Sequence, residues 1–299
     1  LDRTEDLTGG LWRRIVYTDP AHWPAVSATF ERMKYRCVLR TGQAILWKFA
    51  GFVGEPGQSD IDTLAAELRS RARRGWTPTC LDAVHGFLAM PWIPGTPLSK
   101  ADTNAIVLEH MGRYIADVAG PPLSASEQAE ALARLREMLI TNTREALGEP
   151  AATRAQQWCD AAAHLHNTIP SPTYGDGRLA PHEWLRTPSG QLVKVDPVGH
   201  TADHTLIGRQ SLLWDVAGAS VEWGLDDTTA APLLRALPGS PSIPRPILIF
   251  YRLAYAAFRL GTCDLSMHMC CDNPAEQTRL RHARDAYRLD LASTLEKPL

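Results

Sequence analysis

The chain has 299 residues, 44% of them hydrophobic and 21% charged, which excludes a disordered or fibrous protein and predicts two domains or lobes. Its formal net charge of −2, without a basic block, argues against a nucleic-acid partner. No apolar run reaches the roughly 18–20 residues of a membrane span. Six irregularly spaced cysteines favour free thiols in a reducing compartment. We therefore expect a cytoplasmic protein that acts without nucleic acid or membrane.

The first 90 residues predict a small antiparallel sheet with one helix. Two β-rich runs, 35–40 and Ala44–Phe49, are separated by a short link that contains glycine, which is typical of a β-hairpin. A helical pattern follows, with Ser59 or Asp60 as its N-cap. The stretch 80–92 then predicts two more strands.

The remaining residues predict mainly helices. Ser124 opens the capping-box pattern S-x-x-E, which indicates a helix that runs to about residue 147. Asn273 is followed by proline, a combination that indicates the start of a last helix, to about residue 295. We place the boundary between the lobes in the Pro- and Gly-rich stretch 90–95, so that a small lobe comprises 1–90 and a larger, helical lobe comprises 91–299.

Between residues 170 and 218 the chain concentrates Asp, His and Gly in loops and short strands, where catalytic residues are often held by a rigid scaffold. After a helix that ends at His166, the chain contains Gly-Asp-Gly around Asp176. A strand that ends at Asp196 comes next, followed by Asp215 in the first turn of a helix. The order of these motifs carries more information than any one of them.

This order resembles the aminoglycoside phosphotransferase and choline kinase-like family, a branch of the protein-kinase-like fold. The resemblance covers residues from about 30 to 299. It implies an α+β, two-lobed fold, with a small antiparallel-sheet N-lobe, a mainly helical C-lobe and a nucleotide in the cleft between them. It also implies ATP-dependent transfer of a terminal phosphoryl group to a hydroxyl of a small polar molecule, such as a sugar, polyol, aminocyclitol or amino alcohol. The sequence contains neither Asp-Phe-Gly nor Ala-Pro-Glu, which argues against a protein kinase.

The resemblance implies a role for each of five side chains. Asp176 would accept or orient the proton of the attacking hydroxyl. Asp196 would hold Mg²⁺, or Mn²⁺ in its place. Lys48 would contact the nucleotide phosphates, and Glu67 would fix the position of Lys48 through an ion pair. Asp215 would brace the catalytic loop through backbone contacts.

The sequence departs from the family pattern around the catalytic loop. Tyr174 stands where the family has His, and Pro181 stands five residues after Asp176, where the family has Asn. If the loop is one residue longer, His182 takes the place of the Asn as a metal ligand, and Glu183 is the alternative. An imidazole suits softer metals better than it suits Mg²⁺.

Two other functions stay open at this point. One is a degenerate kinase-like module that binds a nucleotide or a partner without turnover, which the missing Asn and the unclear glycine-rich phosphate loop suggest. Neither Thr8–Gly10 nor 26–29 has the glycine spacing of such a loop. The other is a regulatory domain of a larger protein, because the sequence begins at Leu1 rather than at Met.

Overall fold

The structure is a computed structural model, and it describes residues 1–28, 30–51, 61–163, 165, 172–173, 175–198, 208–237 and 243–299. The predicted N-cap residues Ser59 and Asp60 lie outside the described residues, as do His166 and Tyr174.

Short strands occur in the sheet-rich first third and around the predicted catalytic loop. In chain order they are β1 Arg3–Asp6, β2 Lys34–Val38, β3 Ala44–Phe49, β4 Asp82–Val84, β5 Phe87–Pro91, β6 Thr96–Pro97, β7 Gly120–Pro122, β8 Pro172–Thr173, β9 Trp184–Arg186 and β10 Leu192–Lys194. The first five form one antiparallel sheet in the order β1-β2-β3-β5-β4. The predicted hairpin is the pair β2 and β3, and the two strands predicted over 80–92 are β4 and β5.

Helices dominate the rest of the chain. They are α1 Arg13–Val16, α2 Ile61–Arg73, α3 Ala105–Val118, α4 Ala125–Leu147, α5 Glu149–Ala163, α6 Leu213–Trp223, α7 Ala231–Arg235, α8 Arg245–Met269 and α9 Pro274–Leu295. Helix α4 begins with the predicted capping box, and the side chain of Asn273 accepts a hydrogen bond in the first turn of α9. The predicted α+β fold, a sheet followed by a mainly helical part, is confirmed. Among the described helices, none combines the length and the apolar character that crossing a membrane requires.

Contacts between residues divide the chain into two compact units, each of which is formed by three separate segments of the sequence. The first unit comprises Leu1–Leu98, Pro181–Asp203 and Ser266–Arg279, and the second comprises Ser99–Ala180, His204–Leu265 and Leu280–Leu299. The strands β10, β9 and β6 form a three-stranded antiparallel sheet within the first unit, which explains why a segment after residue 180 belongs there. The division into lobes 1–90 and 91–299 stays a prediction.

The core of the first unit is the contact between α2 and the five-stranded sheet. The apolar face of the helix is buried, and Ala65 and Leu68 are completely covered in a cluster that includes Leu88 and Met90. Burial of this face holds the helix against β4 and β5, because apolar area removed from water stabilises the contact.

A buried ion pair anchors the connection between β1 and β2 to the start of α9. Arg13 donates two hydrogen bonds to the carboxylate of Glu276, at 3.1 and 2.8 Å, and the backbone N–H of Val26 donates a third at 2.8 Å. A buried carboxylate needs such partners, because an unpaired buried charge is costly. The connection is therefore fixed to the first unit.

The core of the second unit surrounds α6, whose residues are all buried. Trp214 packs against Tyr255 and Phe258 of α8, with ring centroids 5.0 and 5.5 Å apart. Because α6 is buried on every side, its two acidic residues, Asp215 and Glu222, must find hydrogen-bond partners inside the protein.

Candidate active site

Lys48 and Asp196, which the sequence analysis assigned to one site, are in direct contact in the first unit. The Lys48 ammonium donates a hydrogen bond to Asp196 Oδ1 and another to the carbonyl of Val198, at 3.0 Å. Lys48 is 5% exposed. Burial lowers the pKa of Lys48, and the negative charge of Asp196 opposes that shift. This contact explains why one charged residue, Lys48, lies in the otherwise apolar strand β3.

Asp196 has a strained backbone. Its φ angle is 59°, in the left-handed region, and Pro197 follows it, although a residue before proline disfavours helical conformations. Such a conformation costs on the order of 1–3 kcal/mol and persists only where neighbouring contacts impose it. Strained residues of this kind cluster at functional sites. The observation therefore supports a functional role for Asp196.

Two buried cations impose the turn at Asp196. Lys194 donates hydrogen bonds to the backbone carbonyls of Val195 and Asp196, at 3.2 and 3.4 Å. Arg71, from α2, donates one to the carbonyl of Pro197 at 2.6 Å. The charge of Lys194 is balanced by Glu183, 3.0 Å away, and neither side chain of that pair is more than 6% exposed.

Glu67 does not form the predicted ion pair. Its carboxylate lies 3.6 Å from Arg71, one turn further along α2, and its side chain is 47% exposed. The prediction of an ion pair with Lys48 is corrected here, because Lys48 pairs with Asp196 and Glu67 lies on the partly solvated face of the helix. Through Arg71 and its bond to Pro197, Glu67 is still connected to the Asp196 turn. Its contribution to nucleotide binding stays a prediction.

His182 lies in a short helical turn, Pro181–Glu183, and its ring stacks on that of Trp12. The ring centroids are 5.8 Å apart and the planes differ by 20°. Within the described part of the chain, no three His, Cys, Asp or Glu side chains are grouped so that they could hold a metal ion.

The described side chains do not fit a Mg²⁺ site as they stand. Asp196 Oδ1 binds Lys48, and Asp196 Oδ2 lies 3.3 Å from the ammonium of Lys34. The carboxylate of Glu183 binds Lys194. Mg²⁺ requires oxygen ligands in near-ideal octahedral geometry. The metal roles of Asp196 and His182 stay predictions, and we derive no step through a metal ion.

The loop that carries Asp176 lies in the second unit and is held by Asp215. The carboxylate of Asp215 accepts hydrogen bonds from the backbone N–H groups of three consecutive residues, Gly175, Asp176 and Gly177, at 3.2, 3.2 and 2.7 Å. This confirms the predicted bracing role of Asp215. Burial, followed by the negative charge of Asp176, raises the pKa of Asp215 to about 7, against the opposing effect of the three N–H bonds.

Glycines allow the loop to pack this closely. A Cβ atom on Gly175 would lie 2.0 Å from the carbonyl oxygen of Val118, at the end of α3. Gly177 has a φ of 86°, which side chains rarely adopt. The pairing of β7 with β8 and an isolated bridge from Thr173 to Ser211 hold the loop between the end of α3 and the start of α6.

The Asp176 carboxylate accepts two hydrogen bonds within the second unit. Its Oδ2 accepts one from the phenol hydroxyl of Tyr114, on α3, at 2.5 Å, and its Oδ1 accepts one from the backbone N–H of Arg178 at 3.2 Å. Asp176 and Tyr114 are both almost completely buried. Asp176 therefore accepts an O–H donor, as a residue that orients an alcohol must. The helical pattern around residue 114 contained no signal for this contact.

A buried hydrogen-bond network surrounds the other acidic residue of α6. Glu222, the second acid of α6, accepts hydrogen bonds from Tyr255 and Tyr287, at 3.0 and 2.9 Å, and pairs with Arg259 at 2.9 Å. Although burial acts to raise it, the pKa of Glu222 is lowered, because the charges of Arg259 and Arg178 favour the carboxylate. The carboxylate of Glu222 in turn stabilises the positive charge of Arg178, which follows the predicted catalytic Asp176 by two residues.

Comparison with known proteins identifies the fold. No protein-family model and no curated protein matches the sequence, but solved structures match most of it. A choline/ethanolamine kinase family protein from Mesorhizobium loti is 16% identical with a TM-score of 0.60, over 89% of this chain and 86% of that chain. The choline kinase of Streptococcus pneumoniae is 13% identical with a TM-score of 0.54, over 85% of this chain and 89% of that one. The chain has the protein-kinase-like fold.

A third solved structure with this kinase-like fold is spectinomycin phosphotransferase in complex with ADP and spectinomycin. It is 10% identical with a TM-score of 0.54, over 88% of this chain and 89% of that one. The resemblance to choline kinases and small-molecule phosphotransferases that the motif order predicts is thus confirmed at the level of the fold. The match spans between 86% and 89% of each of these three solved chains.

Proposed function

We propose that this protein is a phosphotransferase that moves the terminal phosphoryl group of ATP to a hydroxyl of a small polar molecule. The observation that carries the proposal is the state of Asp176, a buried carboxylate held on a braced loop and hydrogen-bonded to a hydroxyl donor. The kinase-like fold supports it, because the similar structures include kinases and phosphotransferases.

In the proposed reaction, Asp176 takes the role of general base. It orients the acceptor hydroxyl and receives its proton as the oxygen forms a bond to the terminal phosphorus of ATP. The bond from that phosphorus to the bridging oxygen breaks, and ADP leaves. Phosphoryl transfer depends mainly on positioning and on positive charge near the phosphate oxygens.

Lys48 supplies that positive charge in the proposal. Its ammonium is held by Asp196 and by the carbonyl of Val198, so its position is fixed before a nucleotide binds. Preorganised charge of this kind is effective because no reorganisation is needed during the reaction. Glu67 contributes through Arg71, and Mg²⁺ or Mn²⁺ at Asp196 and His182 remains an expectation from the family resemblance.

The acceptor in this proposal is a sugar, polyol, aminocyclitol or amino alcohol. Two of the similar structures are described as choline or choline/ethanolamine kinases, and a third contains spectinomycin. These compounds are small, polar and hydroxylated, and they form the first acceptor panel.

The test is transfer of labelled terminal phosphate from ATP to choline, ethanolamine, spectinomycin and a set of polyols and sugars, with Mg²⁺, with Mn²⁺ and with EDTA. We expect the wild type to label at least one acceptor and Asp176→Asn to lower the rate by at least about a hundredfold. Asp160→Asn, which changes an exposed Asp of the same unit, is the matched control and should behave as wild type. A wild type that labels no alcohol, or an Asp176→Asn variant with unchanged rate, contradicts the proposal.

A degenerate module that binds nucleotide without turnover is the second candidate. It is favoured by Pro181, which stands in place of the Asn, and by the two lysines that contact Asp196. ATP binding with no transfer under any of the three metal conditions would support this candidate over the first.

A further inference from the structure

Lys34 lies directly opposite Lys48 in the sheet. Strands β2 and β3 pair antiparallel in a register that makes these two residues partners. Residues opposite each other on antiparallel strands point to the same face, and like charges in this arrangement repel. An anion between the two ammonium groups is needed to offset the repulsion.

Asp196 supplies the anion, and it contacts both lysines. Its Oδ1 accepts a hydrogen bond from Lys48, and its Oδ2 lies 3.3 Å from Lys34. The Lys34 side chain is 12% exposed and that of Asp196 is 25% exposed. The carboxylate is therefore the most accessible of the three groups, so a ligand that approaches it also approaches both ammonium groups.

Lysines are rare in this chain, and most of them lie around the Asp196 turn. Only five of its 31 Lys and Arg residues are lysine, and three of the five, Lys34, Lys48 and Lys194, surround the Asp196 turn. A lysine ammonium is a compact charge that binds phosphate oxygens without the planar geometry of a guanidinium. Ammonium groups therefore suit the several orientations of phosphate oxygens in a polyphosphate.

Among the described residues around Asp196, positive charges outnumber negative charges. Glu31 lies 3.6 Å from Lys34, but its carboxylate also accepts hydrogen bonds from the backbone of Gly10 and the indole of Trp12. Arg32 adds a third positive charge, which contributes to the lowered pKa of Lys48. Within the described part of the chain, these three cations and the two carboxylates of Asp196 and Glu31 sum to a charge of +1, which favours an anionic ligand.

We propose that Lys34 is a second phosphate-binding residue, which holds the triphosphate together with Lys48. In this proposal the ammonium of Lys34 occupies the position beside Asp196 that a divalent cation would otherwise take. This rests on the proposed function and on the mismatch between the described side chains and a Mg²⁺ site. The ammonium of Lys34 neutralises the second oxygen of Asp196, as a metal ion would, and it donates to phosphate oxygens when the triphosphate binds. Binding of the triphosphate then depends little on divalent metal.

The test is calorimetric titration of the full chain with ATP, once in EDTA and once in Mg²⁺, with inorganic tripolyphosphate as a competitor that carries only the phosphates. We expect the wild type to bind ATP in EDTA and tripolyphosphate to displace it. Lys34→Gln should bind ATP in EDTA at least about tenfold more weakly, because a charge-assisted hydrogen bond is lost. Mg²⁺ should recover part of that affinity, because the variant frees an oxygen of Asp196.

Two further variants complete the experiment. Lys34→Arg keeps the charge and should retain metal-free binding to within a few-fold, which also answers the question if Lys34→Gln fails to fold. Lys100→Gln removes an exposed lysine of the second unit and should bind as wild type. A wild type that binds ATP only with Mg²⁺, or a folded Lys34→Gln with unchanged affinity in EDTA, overturns the role of Lys34.

Failure of this inference is distinguishable from failure of the proposed function. If the wild type transfers phosphate while Lys34→Gln binds and reacts unchanged, Lys34 has no such role and the function stands. If ATP binds in EDTA through Lys34 but no acceptor is phosphorylated, the Lys34 site stands and the phosphotransferase proposal is overturned.

Discussion

Asp196 in the first unit and Asp176 in the second are both carboxylates on tight loops, but their surroundings have opposite charge. Lysines contact both oxygens of Asp196, whereas Asp176 accepts neutral hydrogen bonds and lies near a second carboxylate, Asp215. Lysines around a carboxylate suit the binding of phosphate, which needs positive charge. A neighbouring acid with a raised pKa, Asp215, suits the handling of a proton. In the proposed function, the first region therefore supplies positive charge for phosphate and the second supplies a group that handles a proton.

The largest effect on stability should come from breaking the charge balance of the first unit. Lys194→Met leaves the carboxylate of Glu183 buried without its ammonium, and loss of one partner of a buried pair costs about 3–5 kcal/mol. Urea unfolding measures this directly. The double variant Lys194→Met with Glu183→Leu should recover a large part of the loss, because no charge remains buried. A single variant within about 1 kcal/mol of wild type would show that the pair is solvated.

A smaller effect, which depends on pH, should come from Asp215. Asp215→Asn weakens the backbone contacts of the loop at a cost of about 2 kcal/mol. The folded pKa of Asp215, about 7, lies above its value of 3.8 in the unfolded chain, so its contribution to stability is present at low pH and is lost as pH rises through about 7. The difference in Tm between wild type and variant should therefore be larger at pH 5 than at pH 7.5. A difference that grows with pH would show that the three N–H bonds dominate over burial.

The smallest effect should come from Tyr114→Phe, which removes the neutral donor to Asp176. We expect a loss of stability of about 1 kcal/mol and a modest fall in kcat at unchanged KM for ATP, because only the orientation of the base changes. Steady-state kinetics in ATP and in acceptor measures this. A loss comparable to that of Lys194→Met would remove the contrast between the two regions.

Local signals in the sequence were sufficient for much of the fold. The capping box at Ser124 and the Asn-Pro pair at residue 273 mark helix starts that the structure confirms, because capping depends on neighbouring residues. The assignment of Lys48 and Asp196, far apart in the chain, to one site followed only from the family resemblance, and their direct contact was not predicted.

Other parts of the site depend on contacts that local patterns do not encode. The partner of Glu67 depended on which face α2 buries, and the contact between Tyr114 and Asp176 depended on how α3 packs against the catalytic loop. The pairing of Lys34 with Lys48 was also missed, because the predicted link 41–43 would pair residue 40 with Ala44 and therefore Lys48 with Arg36. The structure instead pairs Val38 with Ala44, so that the register is shifted by two residues and Lys34 lies opposite Lys48.

The most direct test of the division between the two regions measures ATP affinity and phosphate transfer separately in Asp176→Asn and Lys48→Gln. We predict that Asp176→Asn binds ATP as tightly as wild type while its transfer rate falls by at least about a hundredfold. Lys48→Gln should bind ATP at least about tenfold more weakly. An Asp176→Asn variant that transfers phosphate at the wild-type rate, or a folded Lys48→Gln that binds ATP unchanged, would contradict the account.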